Sequence, residues 1–119
     1  GLCALAFTVH LSLLGETGLR QLAAINHAKA QRLAAALGAI PGVEVLTKRY
    51  FNEIAIRLPG NATQMVEALL EEGIVAGVPF SRLDPAAGLD DVLLCAATET
   101  TLDEDIDAFA QALSRRIGR

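Results

Sequence analysis

The sequence is poor in the residues that most often carry chemistry. Its 119 residues include no tryptophan, two cysteines and two histidines, and only 4% are aromatic. Apolar residues make up 52% and charged residues 20%, a composition that excludes disorder as the main state and indicates a folded, Ala- and Leu-rich domain. Ten basic residues against 14 acidic ones give a net charge of -4, which offers no general attraction to a phosphate backbone. Nucleic acid is therefore not an expected partner.

The few cysteines and lysines do not form the pattern of an active site. Cys3 and Cys95 each lie in an apolar run, where a thiol usually behaves as a small buried hydrophobe, and this usage favours a reducing, cytoplasmic setting. Lys29 and Lys48 lack the apolar neighbours typical of Schiff-base lysines. The two histidines are far apart, and the sequence contains no metal-ligand spacing, phosphate loop or dinucleotide motif. Taken alone, the chain does not have the pattern of a catalyst.

Residues 2–14 predict an opening helix that is apolar on nearly all sides and therefore needs to be covered all round. The stretch lacks the basic start and the cleavage site of a signal peptide, and it falls short of the roughly 20 apolar residues that span a bilayer. We expect no membrane partner. We interpret residues 1–15 as a lead-in helix from a missing large domain and residues 16–119 as a small C-terminal α+β domain.

The middle of the chain predicts a second helix followed by a hairpin. Thr17 can cap a helix that ends at Gly38, with Leu19, Leu22, Ala30, Leu33 and Leu37 at helical spacing. Residues 43–46 and 52–58 follow as two strands, and the second alternates apolar and polar residues as a half-covered strand does.

The remainder predicts two more helices and a central strand. Asn61 can cap a helix with Met65, Val66, Leu69 and Leu70 on its buried side, which stops at Gly73 and Ile74. Residues 74–78 are a short apolar piece, and residues 92–97 predict a central strand covered on both faces. A capping box of Thr101 and Glu104 begins the last helix, which buries Leu102, Ile106, Phe109, Leu113 and Ile117. The fold class is therefore α+β: a small, mostly antiparallel sheet with helices on one side and a long helical lead-in.

Two stretches supply candidate substrate or interface residues. Arg82 lies on a loop constrained by proline and glycine, where a guanidinium can grip a carboxylate or phosphate in bidentate fashion; the alternative is a surface salt bridge. Thr98, Glu99 and Thr100 close the central strand just before a helix begins, a place where polar side chains face a ligand or satisfy backbone groups.

Several short motifs, in order along the chain, resemble one family. They are the Gly-Leu-Cys-Ala-Leu-Ala start, Phe51-Asn52-Glu53, Gly77-Val78-Pro79 with Ser81-Arg82-Leu83, and Thr98-Glu99-Thr100 before an acidic helix start. Together they resemble the C-terminal part of glycine dehydrogenase (decarboxylating) subunit 1, the P-protein of the glycine cleavage system.

The resemblance implies the small C-terminal domain of a fold-type-I enzyme dependent on pyridoxal 5'-phosphate (PLP). In that family glycine loses CO2 and its aminomethyl group passes to the lipoyl arm of the H-protein, with PLP as electron sink. It implies an oxidoreductase of glycine catabolism in which subunit 2 carries the Schiff-base lysine, so that this fragment binds no cofactor and is inactive by itself. Subunit 2 and the lipoylated H-protein are the implied partners, and Arg82 and residues 98–100 would face the cleft between subunits.

Two alternatives stay open at this point. The same α+β layer serves the small domain of another fold-type-I enzyme, such as an aminotransferase. A free-standing ligand-binding module that dimerises through residues 2–14 is the other. Because the apolar lead-in would be exposed in isolation, we also expect the separated fragment to self-associate.

Overall fold

A computed structural model describes residues 1–118 and confirms the predicted order of helices and strands. The elements are α1 (Leu2–Gly38), β1 (Glu44–Val45), β2 (Glu53–Arg57), α2 (Ala62–Leu70), β3 (Val78–Pro79), β4 (Val92–Ala96) and α3 (Asp103–Ile117). Two short 3-10 turns, Phe80–Arg82 and Pro85–Ala87, fill the loop between β3 and β4.

The four strands form one antiparallel sheet in the order β1-β2-β4-β3. The predicted central position of β4 is confirmed, because five of its residues pair with β2 while Leu93 and Leu94 also pair with β3. The two edge strands, β1 and β3, are only two residues long each. The predicted hairpin is the β1–β2 pair, in which Val45 lies opposite Ile56.

Only one face of the sheet is fully covered. Ile54 and Ile56 of β2 and Leu93 of β4 are buried in a core that also contains Leu37 of α1 and Leu113 of α3.

On β4, the prediction of a strand covered on both faces is wrong. Leu94 is half-buried and Ala96 is exposed. They alternate with the core residues Leu93 and Cys95, and the helices that cover the core do not cover them.

Helix α1 consists of two helical segments that meet at a kink at Gly15, which confirms the two predicted helices, although the second segment begins at Glu16 rather than with a cap at Thr17. Gly15 has φ 64° and ψ -174°, and the helix continues on both sides of it. This backbone conformation is open almost only to glycine, because a Cβ atom would clash with the backbone. The break divides α1 into residues 2–14 and residues 16–38.

By length and composition, α1 is also apolar enough to cross a membrane. Signal sequences and the core helices of soluble proteins have the same length and apolar composition. The apolar stretch includes Gly15, whose non-helical backbone would interrupt the continuous hydrogen bonding that a helix in lipid requires.

The predicted ends of α2 are confirmed. The Asn61 side chain accepts a hydrogen bond from the Gln64 backbone N–H at 3.0 Å. At the other end Gly73 has φ 78°, Ile74 N–H donates to Leu69 O, and Gly73 N–H donates to Leu70 O, which together form a Schellman stop.

The predicted capping box of α3 is wrong. The helix begins after Leu102, which has no side-chain cap, because the Thr101 hydroxyl accepts the Thr98 backbone N–H at 2.9 Å instead. Leu102 and Leu70, both predicted on buried stripes, are 58% exposed because they lie at the ends of their helices, beyond the core.

Candidate functional site

Arg82 ends the 3-10 turn that follows β3, and its side chain is exposed. Within residues 1–118 it forms no salt bridge. The nearby acid Asp91, one of its possible surface partners, pairs instead with Arg57 at 3.2 Å. The guanidinium therefore remains available to a ligand or to another chain.

Residues 98–101 form a compact turn at the end of β4 in which the threonines bond mainly to one another. Thr98 N–H donates to Thr101 Oγ1 at 2.9 Å, and Thr101 N–H donates to Thr98 O at 3.0 Å. The hydroxyls of Thr98 and Thr100 lie 2.9 Å apart. These contacts satisfy the backbone of the turn, which is one of the two roles that the sequence leaves open for these residues.

The structure does not bring Arg82 and the 98–101 turn together. Val78 pairs with Leu94 and Pro79 with Leu93, so the chain beyond β3 continues towards Val92, where β4 starts. The turn follows the other end of β4. With a rise of about 3.3 Å per residue, the two ends of β4, Val92 and Ala96, are about 13 Å apart. Arg82 and residues 98–100 therefore belong to two separate surfaces.

Asn26, which the sequence analysis missed, connects the turn to α1. It is 7% exposed, and its side-chain amide donates to Leu22 O at 2.8 Å and to Glu99 Oε2 at 3.0 Å. The signal was available, because position 26 falls on the apolar stripe of α1, four residues after Leu22 and four before Ala30. A polar residue at such a position calls for a buried hydrogen-bond partner.

We expect Asn26→Asp to cost about 1–3 kcal/mol of folding free energy at pH 7, since it removes both amide donors and places a carboxylate against Glu99. The repulsion should raise the pKa of the new carboxyl above its unfolded value, so the cost should shrink as the pH falls to about 4 and one carboxyl regains a proton. Urea unfolding at both pH values measures the difference.

Adding Glu99→Gln supplies the matched control, because a glutamine amide can donate to the new carboxylate. This double variant should recover part of the loss at pH 7. If Asn26→Asp costs the same unfolding free energy at both pH values, position 26 does not contact the Glu99 carboxylate.

Near Asn26, ion pairs connect α1 to α3. Lys29 Nζ lies 2.6 Å from Asp103 Oδ1, and the Arg32 guanidinium contacts both carboxylate oxygens of Asp107 at 2.9 Å. The hydrogen bond from Lys29, with the nearby charge of Arg32, holds the pKa of Asp103 below its ordinary value. Lys29 is thus engaged by an acid partner.

The two thiols have different surroundings. Cys95 is buried in β4, and burial raises the pKa of its thiol to about 12. It therefore carries almost no thiolate at neutral pH and is unsuited to nucleophilic chemistry. Cys3 is exposed on α1, so the prediction of a buried thiol is wrong there; the segment that carries it contacts no core in this chain.

The uncovered sheet face carries a shallow apolar groove of about 430 Å³. Ala55, Leu94 and Ala96 form its floor, and Val78 and Leu83 lie at its side. The two alanine side chains on the floor leave the backbone beneath them close to the surface. Within residues 1–118, no group of histidine, cysteine and acidic side chains could hold a metal ion.

The chain is closely similar to curated bacterial proteins of one kind. The probable glycine dehydrogenase (decarboxylating) subunit 1 of Caulobacter vibrioides is 70% identical over 115 residues, which cover 97% of this chain and 26% of that protein. The protein with the same description in Azorhizobium caulinodans is 58% identical over 113 residues, covering 95% and 25%. The chain thus spans about a quarter of the length of these relatives. No family model matches it.

The chain is also similar in fold to solved structures of enzymes of this kind. The crystal structure of a glycine decarboxylase (P-protein) of the glycine cleavage system, in inhibitor-bound form, matches with a TM-score of 0.77 and 34% identity, covering 90% of this chain and 24% of that one. LysN, an α-aminoadipate aminotransferase from Thermus thermophilus, matches with a TM-score of 0.68 and 25% identity over 90% of this chain and 29% of its own. The predicted fold class, that of fold-type-I PLP enzymes, is confirmed. By sequence along nearly all of its length and by fold, this chain belongs to the glycine dehydrogenase (decarboxylating) subunit 1 family.

Proposed function

We propose that this chain is the C-terminal part of a glycine decarboxylase subunit 1. The complete subunit would take part in PLP-dependent decarboxylation of glycine and transfer of the aminomethyl group to the lipoyl arm of the H-protein. The observation that carries the proposal is 70% identity over 97% of the chain to a probable glycine dehydrogenase (decarboxylating) subunit 1. The proposed partners are subunit 2 and the lipoylated H-protein, assembled in the cytoplasm.

The residues of this chain do not fit direct attachment of PLP. The sequence has two lysines, of which Lys29 is paired with Asp103 at 2.6 Å and Lys48 is exposed on the β1–β2 hairpin. Neither has the apolar pocket that favours Schiff-base formation. The family resemblance implies that subunit 2 carries the cofactor lysine, and we expect the isolated 119-residue chain to have no activity.

Glycine-dependent exchange of labelled bicarbonate tests this function. The assay uses the full-length subunit that carries this sequence, subunit 2 with PLP and the lipoylated H-protein, and each component is omitted in turn. Exchange only in the complete mixture supports the proposal. A lack of exchange in the complete mixture would count against it.

An aminotransferase-like enzyme is the second candidate, favoured by the match to LysN. In that case the full-length subunit would hold PLP by itself. A change in its cofactor absorbance on addition of amino acids, without subunit 2, would support this alternative. A protein that only binds ligands, the third class, would give neither exchange nor the absorbance change.

Arg82 is the residue of this chain that we propose for an anionic contact at the cleft between subunits. It is exposed and has no ion pair within residues 1–118. We expect Arg82→Ala in the full assembly to lower kcat/KM for exchange about 10-fold or more, as loss of a charge-assisted contact does. The exposed Arg49 of the hairpin offers the control, since Arg49→Ala should leave the kinetics unchanged. Equal kinetics for the two variants would remove Arg82 from the proposal.

A further inference from the structure

The carboxylate of Glu99 is held in place although its side chain lies at the surface. Residue 99 is exposed, yet its Oε2 atom accepts a hydrogen bond from the Asn26 amide at 3.0 Å. Asn26 is 7% exposed and lies on the apolar stripe of α1, where burying a polar side chain costs free energy unless it is hydrogen-bonded. A position of the core is thus occupied by an amide that fixes a surface carboxylate.

Glu99 has no cationic partner among residues 1–118. The two cations of α1 in this region are engaged elsewhere, since Lys29 pairs with Asp103 and Arg32 with Asp107. A single hydrogen bond from a neutral amide leaves the negative charge of Glu99 uncompensated and its second oxygen, Oε1, able to accept further hydrogen bonds. The carboxylate is therefore both fixed and available.

Two aromatic residues lie at the same end of the sheet as Glu99. Ala97 N–H donates to Asn52 O at 3.0 Å, which extends the pairing of β2 with β4 beyond the strands. Tyr50 and Phe51 come directly before Asn52, and Glu99 is the second residue after Ala97. The Phe51 side chain is 53% exposed and Tyr50 is half-buried.

The aromatic pair is held by the residue that follows Asn26 on α1. His27 Nδ1 lies 3.0 Å from Phe51 O, and because a carbonyl oxygen only accepts, Nδ1 carries the hydrogen. The His27 ring also lies 6.0 Å from the ring of Tyr50. Consecutive residues of α1 thus fix the carboxylate and the aromatic segment, so this surface is preorganised for binding.

The charge of Glu99 restricts what this surface can bind. A phosphate or the carboxylate of glycine would be repelled, and the amino group of glycine is the group that forms the Schiff base with PLP. A carboxylate near aromatic rings suits a guanidinium, which pairs with the oxygens and stacks on a ring face. The net charge of -4 likewise favours a basic partner surface.

We propose that Glu99 binds a basic side chain of subunit 2, for which arginine is the best fit, and that Asn26 is the positioning residue that holds its carboxylate for this contact. The proposal rests on the proposed function, in which subunit 2 is the partner of the full-length subunit.

The affinity of the full-length subunit for subunit 2 tests the role of Glu99. Calorimetric titration gives the Kd at about 50 mM and about 300 mM NaCl, since salt screens an ion pair. Glu99→Gln keeps an oxygen that can accept from Asn26 but removes the charge, and we expect it to raise the Kd about 10-fold at low salt and less at high salt. Glu104 is also exposed and forms no ion pair within residues 1–118, so Glu104→Gln is the matched control and should change the Kd less than about 2-fold.

The positioning role of Asn26 is tested by Asn26→Leu, which keeps the stripe of α1 apolar but removes the amide. We expect it to raise the Kd about 5-fold, and to add little when combined with Glu99→Gln, because both changes act on one contact. Fully additive losses would overturn the role of Asn26. If Asn26→Leu does not fold, Glu99→Gln and its salt dependence decide the proposal alone.

Each other outcome overturns the proposal. An unchanged Kd for Glu99→Gln, or an equal loss for Glu104→Gln, would show that no specific contact exists. An unchanged Kd with a lower unfolding midpoint of the free subunit would assign the cation to the same subunit, and an unchanged Kd with a raised KM for glycine would assign Glu99 to the substrate. Two parent subunits that do not associate would also overturn it. Because association is measured without glycine, tight binding without bicarbonate exchange would count against the proposed function alone.

Discussion

Gly77→Ala should destabilise this chain by about 3 kcal/mol or more, the largest effect that we expect from deletion or addition of a single methyl group. Gly77 has φ 150°, and a Cβ atom there would overlap the carbonyl oxygen of Leu94. Leu94 belongs to β4, the central strand, so its backbone cannot move without disturbing its pairing with β2 and β3. The clash therefore cannot be relieved without disrupting the backbone pairing of the sheet. Urea unfolding followed by circular dichroism measures the change.

Gly60→Ala is the matched control. A Cβ atom at Gly60 would meet no other atom within 4 Å, and its φ is not in the positive range. We expect its unfolding free energy to stay within about 0.5 kcal/mol of the parent value. Similar urea midpoints for the two alanine variants would contradict the close approach of Gly77 to β4.

Leu37→Ala should cost about 2–5 kcal/mol, because Leu37 is completely buried in the core and its truncation leaves a cavity. The loss should be visible as a lower unfolding midpoint in the 119-residue chain. Leu37 lies in the part of α1 that packs on the sheet, so the effect reports on the core itself.

Leu13→Ala makes the same chemical change in the same helix at a position that is 81% exposed. In the 119-residue chain its cost should be within about 0.5 kcal/mol, and in the full-length subunit it should rise if residues 2–14 are buried there. Equal losses of unfolding free energy for Leu37→Ala and Leu13→Ala in the 119-residue chain would contradict the burial of Leu37 and the exposure of Leu13.

Local signals in the sequence were sufficient for most of the fold. The Asn61 cap and the Gly73 stop involve atoms no more than five residues apart, so local sequence determines them. The alternation through Ile54 and Ile56 similarly identified the covered face of β2. Such features are predictable because the physical cause and its partners lie within one stretch of chain.

Competition between two local hydrogen-bonding patterns explains why the capping box predicted for α3 does not form. Thr101 and Glu104 match a capping box, yet the Thr101 hydroxyl instead accepts the N–H of Thr98, which is equally near. Sequence alone does not rank two neighbouring donors for one acceptor, because the path of the turn decides between them.

The candidate site was less predictable because it depends on strand register and on distant contacts. Arg82 and Thr98 are 16 positions apart in sequence, and only the antiparallel pairing of β3 with β4 shows that they lie at opposite ends of the central strand. The Asn26–Glu99 hydrogen bond joins residues 73 positions apart. Position 26 indicated that a buried partner was needed but not which residue supplies it.

The two-residue edge strands determine how this chain can and cannot aggregate. A long exposed edge lets sheets of different molecules join strand to strand, whereas β1 and β3 offer two residues each, and Pro79 in β3 has no N–H to donate. Growth of a continuous intermolecular sheet is therefore blocked at both edges. If the separated chain self-associates, as we expect, the assemblies should gain no β-structure and bind no amyloid dye, because neither edge of the sheet can add a strand.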